Sequence, residues 1–188
     1  MQITALFTTL LLASGAIAAP AISIVSRAKT TESCMARGGK VNSWKVHDFT
    51  YEASHTYTSP KKSVYSSTAT FTLENSALSY KAKCKATSQS KDSFDGKTYT
   101  CKSESGDSAS FTFNHKTRVL AIDQSWSCAA EGGRYEAKGS KALELSCDDS
   151  TYKNPNYTEG KSGLYSHHLI SCKPLTVKVP VTEMSAVL

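Results

Sequence analysis

Few residues in this chain have the spacing that covalent chemistry needs. Metal sites require converging His, Cys or carboxylate ligands at fixed intervals. No C-x-x-C, H-x-x-x-H or H-E-x-x-H occurs, and His167-His168 are adjacent. Neighbours on a strand point to opposite faces, so that pair reads as surface or edge histidines. Gly106-Asp107-Ser108 has the G-D-S order found around some hydrolase nucleophiles. Ala109-Ser110 follow it, with no glycine-rich turn for an oxyanion hole and no G-x-S-x-G elbow, so it reads as a turn opening a strand. Asp48 and Glu52 would share a strand face but lie about 13 Å apart, beyond the roughly 5–10 Å of a glycosidase pair. Asp148-Asp149 read as the start of a loop. A carboxylate pair assembled from separate strands stays open. No cofactor and no metal are expected.

Two further features concern binding and modification. Lys81, Lys83 and Lys85 alternate along one strand face, a positive stripe that would meet an acidic partner or phosphates. No aromatic residue interleaves on that face, which argues against nucleic acid, and a solvated strand face is the favoured reading. Asn156-Tyr157-Thr158 is the one N-x-[ST] sequon, a glycan acceptor if the chain is exported.

Export is what the N-terminus predicts. Met1 to Ser26 carry no charged side chain, Ile3 to Ala18 are mostly apolar, and Ala16-Ile17-Ala18 is an A-x-A site. Cleavage after Ala18 makes residues 1–18 a signal peptide; the absence of a leading Lys or Arg leaves an uncleaved anchor as the alternative. No later run is long enough for a membrane span. Residues 19–33 read as an N-terminal extension in which Arg27 is a lone basic processing candidate. The 22 Lys and Arg against 16 Asp and Glu give +6, read mainly as a charge that keeps the chain soluble. Six cysteines, Cys34, Cys84, Cys101, Cys128, Cys147 and Cys172, form an even set. In an oxidising compartment such a set becomes disulfides, with many possible connectivities. The chain is expected to be secreted and extracellular.

The elements that must position these residues are strands. Val41 to Tyr51 is rich in aromatic and branched residues. Thr68 to Leu73 alternates, with Ala69, Phe71 and Leu73 on one face; Asn75-Ser76 turns; Leu78, Tyr80, Ala82, Cys84 and Ala86 return on one face. Asp95-Gly96 turns into Lys97 to Cys101. Ser108 to Phe113 and Arg118 to Cys128 follow, the latter with Leu120, Ile122, Trp126 and Cys128 together. Tyr135 to Ala137 and Lys141 to Cys147 are shorter candidates. Asp148 to Gly163 reads as a long loop, then Leu164 to Cys172 and Leu175 to Val181 close the pattern. No convincing helix appears beyond the leader. The fold class is all-β: an antiparallel barrel or sandwich of short, disulfide-stapled strands over residues 34–181, with residues 182–188 as a tail. A barrel interior lined by Trp44, Phe71, Tyr80, Phe111 and Trp126 would hold a small aromatic ligand; the favoured reading is that these side chains fill the core.

In order along the chain, the early Cys34, Trp44-Lys45-Val46-His47-Asp48-Phe49, Phe71-Thr72-Leu73 with Cys84, Cys101 with Ser110-Phe111-Thr112-Phe113, Leu120 to Cys128 with Trp126, and Leu145-Ser146-Cys147 before Cys172 resemble the Alternaria major-allergen family. These are small secreted fungal β-barrel proteins. The resemblance runs from about Cys34 to Val181. It implies a barrel without catalytic residues, and roles as allergen, elicitor of plant defence, binder of thaumatin-like defence proteins and binder of flavonoids. It also implies disulfides Cys84–Cys101 and Cys147–Cys172, and leaves Cys34 with Cys128 as a third pair in a monomer. In the family the early cysteine can instead join two subunits. Function is therefore expected to be non-enzymatic binding of a host or extracellular partner, with a carrier of small aromatic ligands and a secreted hydrolase with an unrecognised site as alternatives.

Overall fold

Alternation of apolar and polar residues dictates strands here, and the computed structural model is built almost wholly from them. It describes residues 32–187 apart from 104, 106 and 162. The expected leader and most of the expected extension, with Arg27, lie outside the described residues. The elements are α1 (Cys34–Gly38), β1 (Ser43–Ser59), β2 (Lys62–Glu74), β3 (Lys81–Ser88), β4 (Tyr99–Thr100), β5 (Ser108–Asn114), β6 (Val119–Cys128), β7 (Gly133–Ala142), β8 (Cys147–Lys153), β9 (Ser166–Cys172), β10 (Leu175–Pro180) and β11 (Glu183–Val187). All ladders are antiparallel.

The strands fall into two sheets. One runs β3-β2-β1-β9-β8, with β10 also pairing β1; the other runs β11-β7-β6-β5-β4. No closed ring of strands is found among the described residues, so the fold is two facing sheets that meet at corners. At one corner Lys83 and Lys102 form a single bridge, and Cys84 bonds to Cys101 beside it. At another, Val181 N–H donates to the Asn42 carbonyl and Thr182 N–H to the Lys138 carbonyl as the chain passes from β10 to β11. Gly139 lets this corner close: a Cβ there would strike the Pro180 carbonyl.

Between the sheets lies an aromatic layer. Phe49 meets Phe113 at 5.0 Å between centroids, Phe71 meets Phe111 at 4.9 Å, and Tyr51 meets Phe113 at 5.5 Å, mostly edge to face. One polar cluster crosses this layer. Gln124 on β6 is buried, and its Oε1 accepts from Trp44 Nε1–H (2.8 Å) and Asn75 Nδ2–H (2.9 Å). Asn75 Oδ1 accepts from the Ala77 N–H, so the β2–β3 turn is tied to the same carboxamide.

Several elements differ from the sequence pattern. Asp148 to Lys153 is not loop but most of β8, held by pairing with β9 although its side chains are exposed. Lys141–Cys147 is not one strand: β7 ends at Ala142 and β8 begins at Cys147. Residues 182–188 are not a tail, because Glu183–Val187 pairs with β7. A short helix, α1, also forms. Ser33 Oγ accepts from Ala36 N–H, and Glu131 accepts from the Cys34 and Met35 N–H groups at 2.7 and 3.0 Å. These partners are local caps and a distant carboxylate, which no periodicity reports. Asp48 and Glu52 do not share a continuous face. Asp48 has φ 52°, and the β1–β2 register slips there from His47↔Thr72 to Thr50↔Thr70. That is a bulge, and it moves the buried phase from Trp44 and Val46 to Phe49 and Tyr51.

Two outcomes follow for stability. Gln124→Leu strands two buried N–H donors and should cost about 2–4 kcal/mol, read as a lower denaturant midpoint with unchanged slope. Asp48→Val puts a branched residue in the left-handed region and should cost about 1–2 kcal/mol, while Asp48→Gly should be tolerated in the same melt.

Candidate functional site

Among the described residues the interior is filled by side chains. Trp44, Phe71, Phe111 and Trp126 are all buried in the core, and Trp126 stacks on Tyr135 at 5.3 Å. Facing side chains from the two sheets fill that volume, which is the favoured of the two readings of these residues. Tyr80 is only partly buried. Its hydroxyl donates to Asp107, and burial, followed by that carboxylate, pushes its pKa up to about 12.

Several of the other chemistry-bearing residues make structural contacts. Ser108 Oγ pairs across strands with Ser125 Oγ at 2.9 Å, with no base beside it. Asp107 also accepts from the Ser127 N–H at 3.1 Å, so this carboxylate holds a loop to β6. His47 Nε2 lies 2.7 Å from Glu74 Oε2, and Lys81 Nζ is 2.6 Å from the same oxygen. Both contacts, Lys81 first, hold the Glu74 carboxyl below its usual range. Lys81, Lys83 and Lys85 are exposed along β3. Asp148 and Asp149 are exposed on β8, and Asn156 is exposed in the turn after it. No group of three or more His, Cys, Asp or Glu that could hold a metal is found among the described residues. The disulfides are Cys34–Cys128, Cys84–Cys101 and Cys147–Cys172.

An open site lies where β1 and β2 run on past the core. Burial on β1 ends at Tyr51; Ala53 to Tyr57 are half-buried. Cross-strand register then builds the site. His55 is opposite Tyr65 on β2 and His168 on β9, and Ala53 is opposite Ser67 and Ile170. The His55 ring stacks on Tyr65 at 3.9 Å and touches Tyr57 at 4.2 Å. Tyr51, Ser93, Lys91 and His115 complete a cleft of about 190 Å³. Carboxylates meet its histidines at the rim: His168 Nε2 is 2.6 Å from Asp149 Oδ1, and His115 Nδ1 is 3.2 Å from Asp95 Oδ1.

The electrostatics single out His55. Its Nε2 is buried and has no hydrogen-bond partner among the described residues. Desolvation, then His168 and Lys91, lower its pKa below 6.5. A perturbed histidine in an aromatic cleft marks a recognition site better than the broader groove on the outer face of the other sheet. That groove, about 360 Å³, is lined by Ser110, Thr112 and Ser140 with the Lys138–Asp123 pair at 3.3 Å. The cleft accommodates one ring or one side chain, well below the volume of a pocket for a larger organic ligand.

Sequence reading placed His168 but not His55, Tyr57 or Tyr65. The signal was present: Tyr51, Ala53, His55 and Tyr57 keep the period of two, and Ser59-Pro60-Lys61-Lys62 supplies a turn. The His55 pKa has a consequence. The folded value is depressed, so the unfolded chain takes up the proton more readily. Stability present above the ordinary histidine pKa of about 6.5 is lost as pH falls through and below it. Thermal melts from pH 8 to pH 5 should show this decline, and His55→Phe, which keeps the stack, should flatten it.

The family model described as Alternaria alternata allergen 1 matches residues 46–172, about two thirds of the chain. The match spans β1 to β9 and holds His55, Tyr65 and His168 as well as the buried carboxamide. No curated protein and no solved structure matches. With its all-β architecture and this match over most of its length, the chain belongs to the Alternaria alternata allergen 1 family.

Proposed function

We propose that this chain is a secreted, non-enzymatic protein that binds a host or extracellular protein through the His55–Tyr65–His168 face. One observation carries the reading. Ser108, Asp107 and His115 are tied into structural pairs, while an aromatic cleft with an unpartnered histidine stays open at the surface. The cleft has the size of a single side chain, which suits a protein partner better than a carried ligand. The basic charge and the Lys81–Lys83–Lys85 row favour a partner with acidic surface. By family likeness, a thaumatin-like plant defence protein is the first partner to try. Export supplies the oxidising setting for three disulfides. By the chain-entropy model the loops they close are worth about 3 kcal/mol for Cys84–Cys101 and about 4–5 kcal/mol for Cys34–Cys128.

A second reading has the same cleft holding the ring of a small flavonoid-like molecule. Its support is the stacked His55–Tyr65 pair, whose ring faces suit a planar aromatic. Both tryptophans are buried in the core, so equilibrium dialysis is a better probe than tryptophan quenching.

Pulldown of plant apoplastic fluid with the wild type and with Tyr65→Ala should distinguish the readings. The protein-binding account expects a captured partner that is reduced at least tenfold by Tyr65→Ala. Saturable dialysis binding of a flavonoid panel with no captured protein would favour the carrier. Leaf infiltration without response, capture or ligand binding would defeat both. Intact mass of the exported protein should begin at Ala19 and carry a glycan that Asn156→Gln removes; an unmodified chain beginning at Met1 would contradict export.

A further inference from the structure

Strand register concentrates positive charge on the outer face of the first sheet. Three rows of opposed side chains cross it. Lys81, Glu74, Lys45 and Lys178 make the first, Lys102, Lys83, Thr72 and His47 the second, and Lys85, Thr70 and Thr50 the third. Opposed residues share a face, and all six lysines are exposed. Of the three rows only the first contains a carboxylate. Glu74 Oε2 lies 2.6 Å from Lys81 Nζ and 2.7 Å from His47 Nε2, so this acid is held between cations of the two flanking strands. Lys45, Lys83, Lys85 and Lys178 make no ion pair among the described residues.

The second row carries a like-charge contact that the fold fixes in place. Lys83 N–H donates to the Lys102 carbonyl at 2.8 Å, and Lys102 N–H donates to the Lys83 carbonyl at 2.7 Å. The Cys84–Cys101 disulfide locks the neighbouring positions. Two ammonium side chains are thus set directly opposite each other, an arrangement that costs stability unless an anion lies over it. Beside it is a depression of about 320 Å³, lined by His47, Asp48, Thr70, Thr72, Lys83 and Lys85. Along β2 the outward residues run Glu74, Thr72, Thr70. Where the first row has a carboxylate among cations, the next two have hydroxyls flanked by lysines. Carboxylates supplied from outside and spaced along β2 would continue what Glu74 begins, with the threonine hydroxyls left to bond neutral oxygens.

The remaining chemistry of the face narrows the ligand. No aromatic side chain lies in the three rows to stack a base. Val64 and Tyr152, exposed hydrophobics of the same face, lie in the row of Thr56, about 20 Å along β1 from Thr50. The rows therefore offer neither the apolar anchor of a protein hot spot nor an insertion point for lipid. A linear polymer with a carboxylate and free hydroxyls on each unit matches them. We propose that this face binds an acidic polysaccharide of the uronate type, with Lys83, Lys85 and Lys102 pairing its carboxylates. The His55 cleft opens on the opposite side of β1 and β2, so a partner seated there leaves this face uncovered, and the inference does not rest on the cleft.

Affinity electrophoresis and calorimetry of the purified protein, disulfides intact, with polygalacturonate test it. Binding should be saturable and should weaken steeply with added salt, as counterion release requires. The fully methyl-esterified polymer, which keeps the hydroxyls and loses the charges, should not bind. The triple change Lys83→Gln, Lys85→Gln and Lys102→Gln should keep the native melt and reduce affinity about tenfold or more. Tyr65→Ala, on the other face, should leave polymer binding intact. Absence of saturable binding would overturn the proposal. So would undiminished binding by the triple variant, which would place the polymer elsewhere. Dextran sulfate or polyglutamate bound as tightly as polygalacturonate would mean that the face selects charge alone, and would equally overturn the uronate assignment. Capture of a plant protein that is lost in the triple variant, with no polymer bound by the wild type, would give the face to a protein and overturn it too.

Discussion

The buried Gln124 carboxamide is the interaction on which the rest of this fold depends. It sits on β6 and accepts two N–H donors with one oxygen, from Trp44 on the facing sheet and from Asn75 at the β2–β3 turn. A carbonyl oxygen has two lone pairs, so its capacity is filled. Apolar faces alone can slide past one another. A satisfied buried polar group cannot, because any shift leaves donors unpaired in a low-dielectric interior. The aromatic layer inherits its geometry from this clamp: with Trp44 fixed against β6, Phe49 and Tyr51 fall against Phe113, and Phe71 against Phe111. The disulfides act at the margins. One sits at the β3–β4 corner, one joins β8 to β9, and one anchors α1 to the end of β6.

A filled interior leaves the surface as the place for the proposed recognition. The bulge at Asp48 makes this surface what it is. One extra residue inverts the phase of β1, so Tyr51, Ala53, His55 and Tyr57 come to the side of the strand that, nearer its start, faces the core. Where the core ends, that same side becomes an open aromatic wall. His55 thus occupies a position that would hold a core residue if the second sheet continued, and its unpartnered nitrogen and depressed pKa follow from that half-covered location. The proposed recognition face is this small cleft, with His55 stacked on Tyr65 and Tyr57 beside it.

Much of the architecture was legible because antiparallel strands with one wet face write a period of two into the sequence. Lys81, Lys83 and Lys85 against Ala82, Cys84 and Ala86 is the clearest instance, and the exposure follows it residue by residue. The illegible parts share a physical cause: they depend on contacts far away in sequence. β8 has no apolar face, so only its ladder to β9 makes it a strand. α1 is five residues held by Glu131, nearly a hundred positions downstream. The bulge shows only as two apolar residues three apart, Val46 and Phe49, in an otherwise alternating strand. The cysteine partition came with family likeness, since six cysteines alone leave many connectivities open. The cleft was missed because its strands were read too short. With β1 ended at Tyr51, its tyrosines and histidine fell outside any expected strand.

The central claim is a division of labour: a rigid, polar-clamped core and an open recognition face on the same two strands. Hydrogen exchange resolved by residue along β1 tests it most directly, because one strand samples both regions. The account predicts slow exchange for Trp44 to Tyr51 and for their partners on β6, approaching the global unfolding limit. It predicts markedly faster exchange from Ala53 to Ser59 and from Lys62 to Ser66. Uniform protection along the whole of β1, or exchange at Trp44 and Gln124 as fast as at His55, would contradict it.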